Sequence, residues 1–352
     1  MATAKPDRGG PMQPLIAVRN LRKYFASKQA LLGRNATAPV RAVDGISFAV
    51  SKGKTLGVVG ESGCGKSTMA RLLIRLIEPD DGEIILDGQL IGARDGISVR
   101  EMRSRVQMVF QDSYASLNPR LPIEESVAFG AISDGVPRAE ANERAIAILE
   151  KVGLDPRLFV HRYPHELSGG QRQRVNIARA LALNPRLLIL DEAVSALDKS
   201  VEAQVLNLLG DLKAQLGLTY LFISHDLNVV RYISDDVMVM YLGQVVEIGP
   251  VAAVYDDPKH PYTRALLRAQ PAMDPHNRTT EAPITGDPPN PINPPSGCRF
   301  HTRCPYAEAI CARIEPPLVA TSDGNRRAAC HMTAPAPGHS RAPSVTERVA
   351  VQ

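Results

Sequence analysis

The stretch GESGCGKST, Gly60 to Thr68, decides how the rest of the chain is read. It fits the phosphate-binding pattern G-x-x-x-x-G-K-[ST], the P-loop, at every position. An apolar, strand-like run, TLGVVG, leads into it, and a helical pattern, KSTMARLLIRLI (66–77), leads out. Gly60, Gly63 and Gly65 let backbone N–H groups turn inward around phosphate oxygens. The helix that follows points its positive end at the same anion. Lys66 is placed to reach β- and γ-phosphates, and Ser67 to ligate Mg²⁺. Glu61, Ser62, Cys64 and Thr68 complete the cradle. Cys64 reads as a small side chain tolerated in the loop. A thiol at a helix start is also open to activation, so its alkylation is expected to block nucleotide binding.

Two further stretches extend the chemistry. RLLILDEA (186–193) is an apolar strand ending in two carboxylates, and such strand ends face the ligand crevice of an open α/β sheet. Asp191 is placed to hold Mg²⁺. Glu192 is placed to polarise an attacking water as a general base. LSGGQ (167–171) opens the helical run RQRVNIARALAL. A Ser-Gly-Gly turn at a helix start is a second anion-binding device, although by itself it also reads as a plain N-cap.

Around these motifs, short apolar runs alternate with helical patterns: LIAVRN, ISFAV, TLGVVG, then RLLILDEA, the helix VEAQVLNLLGDLKAQLG (201–217) and the strand TYLFISH (219–225). This is the signature of an α/β fold with a largely parallel sheet. A mainly helical stretch, about 112–167, interrupts the alternation as an inserted subdomain. Residues 1–14 read as a disordered lead and 336–352 as a disordered tail. Beyond Pro258 the composition turns proline-rich and polar, as expected of a linker or loose loops. The 352 residues carry 41 bases against 37 acids, too even a balance to argue for nucleic acid. With no signal-like N-terminus and no apolar run near the roughly 18 residues of a membrane span, a cytoplasmic location is expected. Disulfides are rare there. Yet Cys298, Cys304, Cys311 and Cys330, four of the five cysteines, gather near the end, in GCRFHTRCPYAEAIC and after it.

The P-loop, LSGGQ, LLILDE, SALD and ISHD occur in an order and spacing that resembles the ATP-binding-cassette (ABC) ATPases, over about Leu15 to Tyr255. That resemblance implies two such domains pairing head to tail, with the Ser168, Gly169, Gly170 and Gln171 of one closing on the ATP in the other's P-loop. It implies Gln111 as the Q-loop glutamine that senses Mg²⁺ and water, Asp198 as the aspartate crossing the interface, and His225 as the histidine contacting the γ-phosphate. Phe25 stands where the family stacks an aromatic on adenine. Tyr24 is the adjacent alternative, and either also reads as packing. The family's usual proline after the catalytic pair is replaced by Ala193. A coiled coil, or two cassettes in one chain, would be needed for a DNA-repair or translation ATPase, and neither is present. A pure scaffold would be expected to lack Glu192 or His225.

VFQDSYASLNPR, RYPHELSGGQRQRVNIARAL, FISHDLNVV and HPYTRALL (260–267) resemble the oligopeptide/dipeptide importer ATPases in particular, and KQALLGRNATAPVRAVDGISF is similar to the loop of their second ATPase subunit. This implies an ABC domain over 15–257 and a C-terminal extension over 258–335. It implies a Mg²⁺-dependent ATPase on the cytoplasmic face of the inner membrane, powering di- or oligopeptide import. The partners implied are two permease subunits, a sister or identical ATPase chain and an extracytoplasmic peptide-binding protein. Importers of nickel chelates or other small solutes, and exporters, are the alternatives. The same resemblance implies a [4Fe–4S] cluster on Cys298, Cys304, Cys311 and Cys330. The spacing itself supports a tetrathiolate site without naming the metal. Zinc, with His301 or His331 replacing a ligand, or four unligated thiols, stay open.

Overall fold

The computed structural model describes residues 10, 13–26, 38–270, 286–287, 289–333 and 338–342. The expected disordered lead and tail lie mostly outside them, as does the proline-rich stretch 271–285. Two long strands, β1 (Pro14–Phe25) and β2 (Val40–Ser51), pair antiparallel, with Phe25 opposite Val40. The fully buried β3 (Thr55–Val59) runs into the P-loop, and α1 (Lys66–Leu73) leaves it. This helix stops before the Ile77 that its apolar pattern suggested. Ile74 caps it, and Arg75 turns left-handed at φ 54°.

Next come β4 (Asp81–Leu86), β5 (Gln89–Leu90), α2 (Val99–Arg105) and β6 (Val106–Val109), a segment whose short elements give little periodicity to read. The interruption expected over 112–167 contains α3 (Ile123–Ser133), α4 (Arg138–Lys151) and α5 (Pro156–Phe159); α6 (Gly169–Leu181) follows. Then β7 (Leu187–Asp191), α7 (Lys199–Leu216), β8 (Thr219–Ile223), α8 (Leu227–Ile233), β9 (Asp236–Tyr241) and β10 (Gln244–Pro250) restore the alternation. The chain continues through α9 (Val251–Asp256), α10 (Pro261–Arg268), α11 (Ala309–Arg313), β11 (Val319–Ala320) and β12 (Arg327–Ala328).

A four-stranded antiparallel sheet, β2-β1-β4-β5, faces an eight-stranded mixed sheet, β11-β12-β10-β9-β3-β8-β7-β6. The run β9-β3-β8-β7-β6 is parallel, and pairing turns antiparallel from β9 to β10 and β10 to β12. The continuous apolar runs of β7 and β8 follow from burial on both faces. Leu188, Leu190, Tyr220 and Phe222 pack with the helices, while Leu187, Ile189, Leu221 and Ile223 pack toward the first sheet. Truncating any of these leucines to alanine costs about 2–5 kcal/mol.

The C-terminal extension is built into this frame. Its β12 pairs with β10 through Glu247 opposite Ala328. The buried Glu247 carboxylate accepts the N–H groups of Lys259 (2.8 Å) and His260 (2.9 Å), which fixes the start of α10 against β10. Tyr241, Tyr262 and Phe300 interlock with ring centroids 4.5–5.4 Å apart, joining β9, α10 and the cysteine segment. No helix among the described residues is long and apolar enough to cross a membrane.

Candidate active site

The P-loop takes the shape its glycines permit. Gly60 (φ 152°) and Gly65 (φ 107°) hold backbone conformations that side chains rarely adopt. A Cβ on either would sit 2.2 Å from a carbonyl oxygen, that of Met240 or of Ala42. Lys66 Nζ, buried, donates to the carbonyls of Gly60 (2.7 Å) and Glu61 (3.1 Å). Cys64 is buried beneath the loop, with its sulfur 3.8 Å from Lys66 Nζ. Burial pushes that thiol up, because removal from water outweighs the nearby ammonium, which suits the reading of Cys64 as a small buried side chain and not the alternative of an activated thiol.

A cleft of about 420 Å³ opens above the loop. One wall is Ser62, Gly63, Gly65, Lys66, Ser67 and Thr68; the other carries Gln111, Glu192 and His225. These groups come from the ends of β3, β6, β7 and β8, which the parallel sheet places side by side. Ser67 Oγ donates to Asp191 Oδ1 at 3.0 Å. Burial holds the Asp191 carboxyl above the usual range, the Ser67 bond opposing it and the Glu192 charge adding to it. Gln111 Nε2 donates to Glu192 Oε2 at 2.9 Å, and His225 Nδ1 lies 3.4 Å from the same oxygen. Glu192 itself is left-handed at φ 50°, a strained conformation of the kind found at active sites. Ala193 is buried in the core, and the turn after Glu192 is closed by Ser195, whose N–H and hydroxyl both donate to the Glu192 carbonyl (3.2 and 2.9 Å).

Phe25, 37% exposed, stands opposite Val40, which lines the cleft. The Tyr24 hydroxyl is instead engaged by Asp44. The remaining expected site residues are elsewhere. Ser168, Gly169, Gly170, Gln171 and Asp198 do not line this cleft. Ser168 is exposed and N-caps α6 in a reciprocal box with Gln171 (3.3 and 3.0 Å). Asp198 caps α7 by accepting the Val201 N–H at 3.0 Å.

Cys298, Cys304, Cys311 and Cys330 converge on one small cavity, which His301 and His331 also line. Burial pushes the Cys298 thiol up to about 11 and the Cys330 thiol up to about 12. Nevertheless, among the described residues no group of three or more His, Cys, Asp or Glu side chains is arranged to hold a metal ion. A metal there is therefore not shown; what the described residues provide is four converging thiols. His301 Nδ1 bonds the Cys298 carbonyl and His331 Nε2 the Ile314 carbonyl, both at 2.8 Å, so each ring has one nitrogen committed to backbone.

Three cleft-lining residues escaped the sequence reading: Val40, Ala42 and Pro291. Pro291 comes from the C-terminal extension, and its carbonyl accepts the Arg41 N–H at 3.3 Å. No local pattern marks a contact spanning that much chain.

Comparison with known proteins agrees with this arrangement. A family described as "ABC transporter" matches residues 43–195, and one described as "Oligopeptide/dipeptide transporter, C-terminal region" matches 246–311. The oligopeptide transport ATP-binding protein AppF of Bacillus subtilis is 48% identical, over 91% of this chain and 98% of its own. The di/tripeptide transport ATP-binding protein DppF of Pseudomonas aeruginosa is 47% identical over the same shares. Among solved structures, cbiO1 of Clostridium perfringens, part of the ABC transporter complex cbiONQ, has a TM-score of 0.59 at 28% identity, covering 69% of this chain and 91% of that one. The chain belongs to the ABC transporter family, as an ATP-binding protein that carries the C-terminal region of the oligopeptide/dipeptide transporters.

Proposed function

We propose that the chain is the ATP-hydrolysing subunit of a di- or oligopeptide importer. The observation that carries it is one cleft with Ser62, Gly63, Gly65, Lys66, Ser67 and Thr68 of the P-loop on one wall and Gln111, Glu192 and His225 on the other, in a chain with the oligopeptide/dipeptide C-terminal region. In this reading Lys66 leaves the Gly60 and Glu61 carbonyls to meet the β- and γ-phosphates. Glu192 orients the attacking water and takes its proton. Gln111 and His225 hold that carboxylate in place, and His225 contacts the γ-phosphate. Catalysis is then mostly positioning and electrostatics.

Ser67 and Asp191, with Gln111, would hold Mg²⁺. The donor set is all oxygen, as a hard cation requires, and a cation there would relieve the burial that raises Asp191. When bound, Mg²⁺ neutralises developing phosphate charge. Ser168, Gly169, Gly170, Gln171 and Asp198, displaced from their own chain's cleft, serve the ATP of a head-to-tail partner, a sister chain or a copy. Residues 15–257 act as the ATPase domain, with 112–167 turned toward two permease subunits, and 258–335 as its extension. The assembly sits at the cytoplasmic face of the membrane and receives peptide from an extracytoplasmic binding protein.

The finer reading of the cysteine segment is a [4Fe–4S] cluster held by Cys298, Cys304, Cys311 and Cys330. What supports it is the convergence of four thiols on one cavity. Its role would be to staple a segment of little apolar content. Iron and acid-labile sulfide, about four of each per chain in anaerobically purified protein, would support it. Zinc or no metal would refute it.

The whole reading is tested by affinity capture of the chain from detergent-solubilised membranes of its own cells. Co-purification of two permeases and a peptide-binding protein, with ATP hydrolysis stimulated by peptide, is the expected result. Hydrolysis without those partners, or with an exporter's permease, would overturn the import assignment.

A further inference from the structure

The cysteine segment reaches into the P-loop through Arg303. Its Nη1 donates to Glu61 Oε2 at 3.0 Å and its Nη2 to Glu61 Oε1 at 3.1 Å, a two-armed pairing. Nη1 also donates to the Tyr241 hydroxyl at 3.2 Å. The Arg303 side chain is 7% exposed and that of Glu61 23%, so this pair is largely withdrawn from water. Such planar, bidentate pairs add geometric specificity to their strength. The rest of Glu61 is equally tied. Its N–H donates to the Tyr262 hydroxyl at 2.9 Å, and its carbonyl accepts from Lys66.

A second arginine of the segment makes a parallel contact. Arg299 donates to the Asp44 carboxylate and to the Leu242 carbonyl. The neighbouring Gly243 N–H donates to the Cys64 carbonyl of the P-loop at 2.9 Å. Both arginines adjoin cysteines of the converging set, Cys298 beside Arg299 and Cys304 beside Arg303.

Glu61 places a carboxylate in a loop built to cradle a polyanion. Unpaired, it would repel the triphosphate across a partly desolvated cleft, where charge interactions are stronger than in water. We propose that Arg303 is a positioning residue for nucleotide: it cancels the Glu61 charge in the P-loop, so the C-terminal extension tunes ATP affinity from within the same chain. This rests on the ATPase reading. Arg303 touches the P-loop, not the reacting atoms, so its effect belongs to binding rather than to the chemical step. By reciprocity of linkage, bound nucleotide stabilises the docked cysteine segment in turn.

The test uses the full chain with Mg²⁺ and ATP. Arg303→Met should weaken ATP binding about tenfold. KM should rise by a similar factor, with kcat at saturating ATP within about twofold of the parent. Arg303→Lys should fall between the two. Glu61→Gln, which leaves the Arg303 charge behind the loop uncancelled, should bind ATP more tightly than the parent. The double variant Glu61→Gln/Arg303→Met should recover most of the loss, because the repelling charge has gone. A merely structural Arg303 predicts a double variant as weak as the single one. That result, or an unchanged KM in Arg303→Met, overturns the proposal. Should Arg303→Met fail to fold, Glu61→Gln decides alone, and unchanged or weaker ATP binding overturns it. A parent chain that binds no ATP would instead overturn the ATPase reading.

Discussion

Gln111 and Glu192, 81 positions apart, meet at 2.9 Å, amide nitrogen to carboxylate oxygen, and His225 Nδ1 stands 3.4 Å from that same oxygen. In the proposed mechanism this carboxylate, held by the amide and the imidazole, takes a proton from water through its other oxygen, which has no partner among the described residues. Glu192→Gln keeps the size and a hydrogen-bonding carbonyl but removes the base. We expect kcat to fall by about 10²–10⁴, with ATP affinity within about threefold because the side chain binds water rather than phosphate. Steady-state hydrolysis alongside equilibrium nucleotide binding checks this, and near-parental turnover would remove Glu192 from the role of base.

Cys64 is 3% exposed, and burial pushes its thiol up despite the adjacent ammonium of Lys66. Iodoacetamide at about pH 8 should therefore label it at least about tenfold more slowly than an exposed thiol. Mass spectrometry of the peptide containing Cys64, over a time course in the native protein, gives the rate directly. Rapid labelling, with loss of ATP binding, would restore the activated thiol that a helix-start cysteine suggests.

How much of this was legible in the sequence follows from distance along the chain. The P-loop, the LLILDE strand and ISHD are local patterns, each with its strand or helix beside it, and Lys66, Glu192 and His225 line one cleft. The α1 helix is shorter than its sequence pattern suggests, because apolar spacing continues past Leu73 while Arg75 breaks the backbone at φ 54°. Short elements such as β5, two residues long, leave no period to detect. Arg303 stands between cysteines in the sequence, but its partner Glu61 is 242 positions away, and the packing of Phe300 against Tyr241 and Tyr262 helps bring them together. Pro291 is hidden in the same way.

Asp235 ties β3 to α7. Its carboxylate accepts from Lys213 (2.8 Å), Lys54 (2.9 Å) and the Thr55 N–H (2.8 Å). Burial alone would raise this carboxyl, but those three bonds outweigh it and bring it down to about 2. A carboxyl lowered in the folded state adds stability that is fully present above its unfolded value of about 3.9 and is lost as pH falls through the folded value. The Asp235 side chain is 29% exposed and its partner Lys54 55%, so solvent screening reduces the contribution to about 1 kcal/mol. Asp235→Asn should lower unfolding free energy by about that much at neutral pH, and by progressively less as the pH falls below about 4. Urea titrations at both pH values check the sign. A difference that grows toward acid would contradict it.

Ser168 separates two accounts of LSGGQ. Within its own chain it is an N-cap, exposed, in a reciprocal box with Gln171. Asparagine caps helices about as well as serine, so Ser168→Asn should leave thermal stability within about 0.5 kcal/mol. If capping were the residue's only task, hydrolysis would also be kept. If Ser168 closes on a partner's ATP, hydrolysis falls more than about tenfold with stability intact. Mixing then identifies the partner. Lys66→Ala disables one chain's P-loop, and Ser168→Asn disables the other chain's closing turn. In a head-to-tail pair of the two, one composite site carries both defects and the other carries neither. Hydrolysis recovered on mixing, absent from either variant alone, assigns the partner as a second copy of this chain. No recovery, with both single losses retained, assigns it as a sister chain. Full activity of Ser168→Asn alone would return LSGGQ to the role of a plain cap.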